Sequence, residues 1–336
     1  MLIARLIRWL FLIALAVAVA AGAYGYWYVR QPLPLPASPY EFEVPAGASL
    51  SSVARDFTRE GIIVHPLALV GLARWRGVDR HIKAGNYEVR EGITLPGLLS
   101  KLIDGDVTQA SLTIVEGTTF AQLKAALRAN AQLKQELAAL PDPQLLAALR
   151  IDAKHPEGQF FPDTYFFAAG STDAAVLDRA HRMLQQRLDA AWEKRAPNLP
   201  LQTPYEALIL ASIVEKETGR AADRGLVASV FINRLRIGMR LQTDPSVIYG
   251  IGERFDGNLT RRDLETDTPY NTYTRTGLPP SPIALPSQAS IEAVLNPPAT
   301  NFLYFVSRGD GTSEFTGSLV EHNRAVTRHQ LKRSAR

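Results

Sequence analysis

Apolar and polar positions change regime several times along the chain. Residues 9–29 are uncharged and lie between Arg8 and Arg30, with no polar face. As a helix this run is about 31 Å long, enough to cross a bilayer core. From residue 40 a short alternation gives way to helical spacing, and the pattern recurs twice. Phe42, Val44, Gly47, Ser49, Leu50, Val53 and Phe57 make the first copy. Tyr87, Val89, Gly92, Thr94, Leu95, Leu98 and Leu102 repeat its spacing, as do Leu112, Ile114, Gly117, Thr119, Phe120, Leu123 and Leu127. Each copy predicts a strand, a glycine turn, a Ser/Thr N-cap and an amphipathic helix. A further helix is expected over 66–75, so 40–89 reads β-α-α-β. Residues 119–150, rich in alanine and leucine, are expected to be a mostly helical connector.

The aromatic, turn-containing stretch 155–167 (HPEGQFFPDTYFF) then opens a C-terminal domain. Helices are expected over 172–193, 203–218 and 226–237, the last stopped by Gly238. An irregular Gly/Pro-rich region follows. A hairpin with strands at 302–306 and 312–315 around the turn 308–311 comes next, then a closing helix over 319–331. The β-α-α-β order of 40–89 resembles the LysM glycan-binding module, although a plain α/β packing unit accounts for the repeat equally well.

Arg5 and Arg8 precede the long apolar run, and Trp9 and the group Tyr24, Tyr26, Trp27 and Tyr28 stand at its ends. The charge bias keeps residues 1–8 cytoplasmic and sends the body across the membrane, with the aromatic residues at the two interfaces. A cleaved signal peptide ending near Ala20–Ala23 is the competing reading. The aromatic belt continues past that point, so a retained single-pass anchor over 9–29 is expected. The Pro-rich residues 30–39 then act as an extended spacer.

Composition adds exclusions. The chain of 336 residues is 46% hydrophobic and 21% charged, with a formal net charge of +4, which gives no argument for nucleic acid. There is no cysteine, so disulfides, thiolate catalysis and Cys-ligated metal are excluded. His65, His81, His155, His181, His322 and His329 show no ligand spacing. No metal and no cofactor is expected.

The helix over 203–218 carries the sharpest signal. Thr203 is an N-cap, Pro204 stands at the first helical position, and Glu206 has capping-box spacing. Leu210, Ile213, Val214 and Glu217 fall at i, i+3, i+4 and i+7, which places Glu217 on an apolar stripe. Glu215 lies roughly 200° away at about 100° per residue. Burial raises a carboxyl pKa, and a raised pKa suits a general acid near neutral pH. A helix-end carboxylate paired with Arg220 or Arg234 is the alternative, and periodicity alone favours it.

Three polar and aromatic segments follow, 241–250 (LQTDPSVIYG), 270–273 (YNTY) and 277–283 (GLPPSPI). A long irregular stretch inside a compact domain is often a binding surface. Amides and hydroxyls bond sugar hydroxyls while aromatic rings pack on sugar faces, so these segments beside Glu217 read as a glycan cleft. Gln242, Asp244, Tyr270, Asn271 and Tyr273 are the candidate substrate-binding or supporting residues. Glu157 is either a further cleft carboxylate or a turn residue.

The segments 157–167 (EGQFFPDTYFF), 211–219 (ASIVEKETG), 227–252 (VASVFINRLRIGMRLQTDPSVIYGIG), 270–283 (YNTYTRTGLPPSPI) and 301–306 (NFLYFV) are long and specific. Through them the chain resembles the endolytic murein transglycosylases of the MltG (YceG-like) family. The resemblance implies an α+β protein with an N-terminal transmembrane helix, a LysM-like region with its connector over 40–150 and a larger mixed α+β catalytic domain over 151–336. It also implies that Glu217, the second glutamate of the E-K-E-T segment, is the catalytic acid/base.

The implied reaction cleaves the bond between N-acetylmuramic acid and N-acetylglucosamine inside glycan strands and leaves 1,6-anhydro ends, terminating nascent strands. The implied partners are peptidoglycan strands, the inner membrane and the penicillin-binding synthases, with the body in the periplasm. A hydrolytic muramidase would need a second carboxylate, Asp244 or Glu157, within reach. A non-catalytic membrane-tethered scaffold would need no carboxylate on an apolar stripe.

Overall fold

The computed structural model describes residues 2–45, 47–106 and 109–331. It is a mixed α+β structure whose chain divides into two compact units, residues 1–110 with 167–170, and residues 111–166 with 171–336. The division falls at Ala110, whereas the sequence pattern placed it at 150. The third repeat copy therefore belongs to the second unit.

The first unit opens with the helix Leu2–Val29, whose apolar side chains such as Leu10, Phe11, Ile13 and Val17 are exposed. Strand Tyr40–Val44 then pairs antiparallel with strand Gly85–Val89, Phe42 opposite Tyr87. Helices Leu50–Arg59 and Pro66–Trp75 lie between the strands in sequence, and Leu95–Asp104 follows. Their apolar faces meet in one core around Phe57, Leu69, Tyr87, Leu98 and Leu102. The expected caps are in place: Ser49 Oγ accepts from Ser52 N–H and Thr94 Oγ1 from Gly97 N–H. Each supplies an acceptor to a first-turn donor that the helix itself cannot satisfy.

In the second unit, Thr119 forms a reciprocal capping box with Gln122 and starts the helix Phe120–Ala129. The connector is less helical than its composition suggested: only Asp142–Ala148 follows as helix before residue 150. The buried Asp173 carboxylate explains the difference. It accepts from the backbone N–H groups of Glu136, Leu137 and Ala138, at 2.9, 3.0 and 2.8 Å, so those donors need no helix. Strands Gln109–Thr113 and Thr164–Ala168 pair with each other.

The helix Pro204–Glu217 is the centre of this unit. Every residue from Ala207 to Val214 is buried, against the helices Asp173–Glu193, Ala221–Arg236 and Gln288–Leu295. The apolar stripe inferred from spacing is therefore an all-round apolar surface. Ala221–Arg236 begins five residues before the expected start, because Ala221, Ala222 and Asp223 favour a first helical turn without showing apolar periodicity. Strands Tyr304–Ser307 and Ser313–Thr316 form the expected hairpin, and Leu319–Val326 continues into a π-helical turn, Thr327–Leu331.

Candidate active site

Glu217 is the last residue of the central helix, and Thr218 turns the chain away with its N–H on Val214 O at 3.3 Å. Two neighbouring side chains fix this helix end. Lys216 Nζ donates to Gly117 O at 3.1 Å, so the turn of the third repeat copy is tied to it. Glu215 accepts from Ser287 N–H at 3.0 Å, from Ser287 Oγ and from Ser290 Oγ at 2.7 Å. The Glu215 carboxylate thus sits on the positive end of the helix Gln288–Leu295, a structural anion of the kind helix N-termini favour.

Glu217 points elsewhere. Its Oε1 accepts the hydroxyl of Thr243. Burial pushes its carboxyl up to about 7, and the charge of Asp244 adds to the rise, while the Thr243 hydrogen bond and the Arg234 cation pull the other way. The ion pair favoured by periodicity does not form among the described residues. Arg234 directs Nε to Leu303 O at 2.7 Å and Nη1 to Leu241 O at 2.6 Å, with its guanidinium over the ring of Tyr304. Those bonds fix the backbone that leads into Thr243.

Thr243 is the N-cap of the helix Asp244–Ile251, yet its side chain makes no capping bond. The hydroxyl that would ordinarily cap its own helix is given to Glu217 instead. Support comes from neighbours: Thr243 N–H donates to Thr272 Oγ1 at 3.0 Å, and Ser246 Oγ donates to Thr243 O at 2.9 Å. Gln242, one residue before, has φ of 47° and its N–H on Thr272 O at 3.1 Å. A left-handed glutamine is strained, and the bonds of its own N–H to Thr272 O and of the next N–H to Thr272 Oγ1 hold it there.

The other candidates divide. Gln242 and Asp244 are exposed on either side of Thr243, and Tyr273 OH donates to Asp244 Oδ1 at 2.5 Å. Burial, and then the Asp244 contact, push the Tyr273 phenol well above its ordinary range. Tyr270 packs edge-on to Tyr249 at 4.9 Å and its hydroxyl meets Ser281 Oγ at 2.7 Å.

Two further candidates, Asn271 and Glu157, are held by bonds within the protein. Asn271 is fully buried, its amide nitrogen within 3.1, 3.1 and 2.7 Å of the carbonyls of Asp263, Leu264 and Thr266, and its Oδ1 accepts from Tyr273 N–H. Its amide nitrogen is thus committed to the backbone, which fits the supporting one of the two roles expected for it. Glu157 is also buried, its carboxylate capping Phe120 N–H at 2.9 Å and accepting from Tyr249 OH at 3.1 Å. Burial raises its carboxyl to about 7 against the pull of those hydrogen bonds. It anchors the start of the helix Phe120–Ala129.

The geometry is that of a desolvated carboxyl with one oxygen held by Thr243, and Thr272, which supports Thr243, also lines a hollow of about 300 Å³ with Asn271, Arg275, Gly277, Leu278 and Pro280. Comparison with known proteins agrees with the sequence resemblance. The YceG-like family model matches residues 42–328. The chain belongs to the YceG-like family. An endolytic murein transglycosylase of Bacillus subtilis is 34% identical over 304 residues, covering 85% of this chain and 83% of that protein. One from Streptococcus pneumoniae is 29% identical, and the match covers 85% of this chain but 57% of its longer relative. The crystal structure of a yceG-like protein from Listeria monocytogenes superimposes with a TM-score of 0.54 at 31% identity, covering 85% of this chain and 98% of that one.

Sequence reasoning passed over three residues of this YceG-like site. Thr243 and Thr272 lay within the polar segments but were not distinguished from their neighbours. Spacing presents Arg234 only as an ion-pair partner for Glu217. A threonine followed by Asp-Pro is an ordinary helix start, and nothing in its spacing reveals that its hydroxyl serves another helix.

Proposed function

We propose that this protein is a lytic endotransglycosylase acting on peptidoglycan glycan strands, with Glu217 as its single acid/base. One observation carries the reading: a carboxyl at the end of a buried helix, raised to about 7, with Oε1 held by Thr243. The Thr243 bond leaves Oε2 as the oxygen that carries the proton. Protonated Glu217 donates to the glycosidic oxygen as the bond from muramyl C1 breaks. The resulting carboxylate takes the proton of the muramyl C6 hydroxyl, whose oxygen closes on C1 and leaves a 1,6-anhydro end. The proton returns to Glu217, so the residue is restored without water and without a second carboxylate. An intramolecular nucleophile brings a high effective concentration. The names of the Bacillus and Streptococcus relatives support the reaction class and the substrate.

The apolar run Trp9–Val29 supports anchoring in the inner membrane with the body periplasmic. An endo-acting enzyme held there would cut strands close to where synthases, the penicillin-binding proteins, extend them, and so terminate them. The β-α-α-β segment supports a LysM-like glycan contact, which sacculus binding by wild type but not by a 40–110 deletion would reveal.

Asp244, which lies close enough to Glu217 to raise its pKa, favours one second reading, a hydrolase with two carboxylates. Full-length protein incubated with peptidoglycan separates the two by mass spectrometry. Anhydromuramic ends are expected; reducing muramic ends would establish the hydrolase.

A further inference from the structure

A groove of about 670 Å³ lies among the helices Asp173–Glu193, Ala221–Arg236 and Gln288–Leu295. Small residues such as Ala190, Gly225 and Ala289 line it and keep it wide, and its charged groups are Arg187, Lys194 and Arg224 against Glu292 alone. Among the described residues none of the three cations has an ion-pair partner. Glu292 instead accepts the side-chain amide of Gln288 at 2.8 Å.

The N-terminal turn of the helix Ala221–Arg236 adds positive potential at Ala221, whereas the one at Gln288 is already taken by the Glu215 carboxylate. Three cations against one anion make the groove complementary to a short ligand that bears carboxylates.

It also lies close to the reacting carboxyl. Ala221 is four residues after Glu217, so their Cα atoms are no more than about 15 Å apart. Gln288 follows Ser287, which Glu215 holds from the same helix end. Murein strands carry short peptides with free carboxylates on their muramyl residues, and five extended residues reach about 17 Å. We propose that this groove binds the peptide stem of the muramyl unit next to the scissile bond, through Arg224, Lys194 and Arg187. The proposal rests on the murein reading above.

The test uses full-length protein in detergent, with glycan strands that keep their stems and the same strands stripped by an amidase. Wild type is expected to show a kcat/KM about ten-fold higher on stem-bearing strands, as the loss of one or two charge-assisted contacts implies. Arg224→Gln and Lys194→Gln should each remove most of that advantage through KM and leave stripped strands unaffected. Equal loss on both strands, no loss on either, or wild-type indifference to stems would overturn the proposal. Should wild type cleave neither strand, the functional reading fails, and calorimetry with a free stem tetrapeptide still decides the groove. Binding weakened about ten-fold by Arg224→Gln supports the groove, and no binding overturns it. Arg224- and Lys194-dependent binding to anionic phospholipid vesicles in place of the tetrapeptide would assign these cations to the membrane and also overturn it.

Discussion

The hydroxyl of Thr243 donates to Oε1 of Glu217, joining the first turn of one helix to the last residue of another. This bond stabilises the charged carboxylate and opposes the rise in pKa that burial imposes. It also fixes which of the two carboxyl oxygens is held.

Replacing Thr243 by Val therefore predicts a further rise in the Glu217 pKa. The reaction needs the protonated carboxyl, so kcat/KM of the wild type should fall as pH rises through about 7. In Thr243→Val that limb should move up by about one unit, the equivalent of one charge-assisted hydrogen bond. Thr243→Ser should keep the wild-type limb. A pH profile unchanged in Thr243→Val would remove the hydroxyl from the account.

Glu215→Gln predicts the opposite partition. Glu215 holds Ser287 and Ser290 at the start of the Gln288–Leu295 helix, and the amide loses charge-assisted acceptance there. Stability should fall by about 1.5–3 kcal/mol in urea melts. Turnover per folded molecule should stay close to wild type. Spacing alone had set Glu215 aside as lying on the far side of the helix, without its structural role.

Glu157 should make the fold less stable as pH rises. Its carboxyl is raised from 4.5 to about 7, so the folded chain keeps a proton that the unfolded chain releases. Stability contributed by that proton is present below about 4.5 and is lost as pH rises through about 7. Glu217 has the same sign. Thermal melts from pH 5 to 8 should therefore show a falling midpoint, and Glu157→Gln should flatten the slope without abolishing it. An unchanged slope would mean that Glu157 is not buried as a neutral acid.

Local rules made much of this architecture legible in the sequence. Ser49, Thr94, Thr119 and Thr203 all cap the helices their spacing announces, and Thr172, expected as the first residue of its helix, is its N-cap. The three repeat copies became three strand–turn–helix units. What stayed hidden depends on contacts distant in sequence. Glu206 closes on Gln202 N–H rather than returning to Thr203. Asp173 removes the need for helix over 136–138, and the Asn271 amide is bonded to three carbonyls, a supporting role that its place in a polar segment does not distinguish from a sugar contact. Glu217 stood out as a carboxylate among apolar positions. Its partner did not, because a capping threonine looks the same whichever helix receives its hydroxyl.

The charge bias of Arg5 and Arg8 before the apolar run predicts a periplasmic body. A C-terminal fusion to a reporter that works only in the cytoplasm should be silent, and one that works only in the periplasm should be active. Activity of the cytoplasmic reporter would reverse the topology. A soluble form starting near Tyr24 would point to cleavage instead of anchoring.

Turnover of Glu217→Gln, with its products read by muropeptide mass spectrometry, tests the central claim most directly. The amide keeps the shape and the Thr243 contact but cannot lend a proton and take it back. The variant should fold, and formation of anhydromuramic ends should fall by about 10²–10⁴-fold relative to wild type. Near-wild-type formation of those ends by Glu217→Gln, with Glu215→Gln inactive though folded, would contradict the assignment of the acid/base to Glu217.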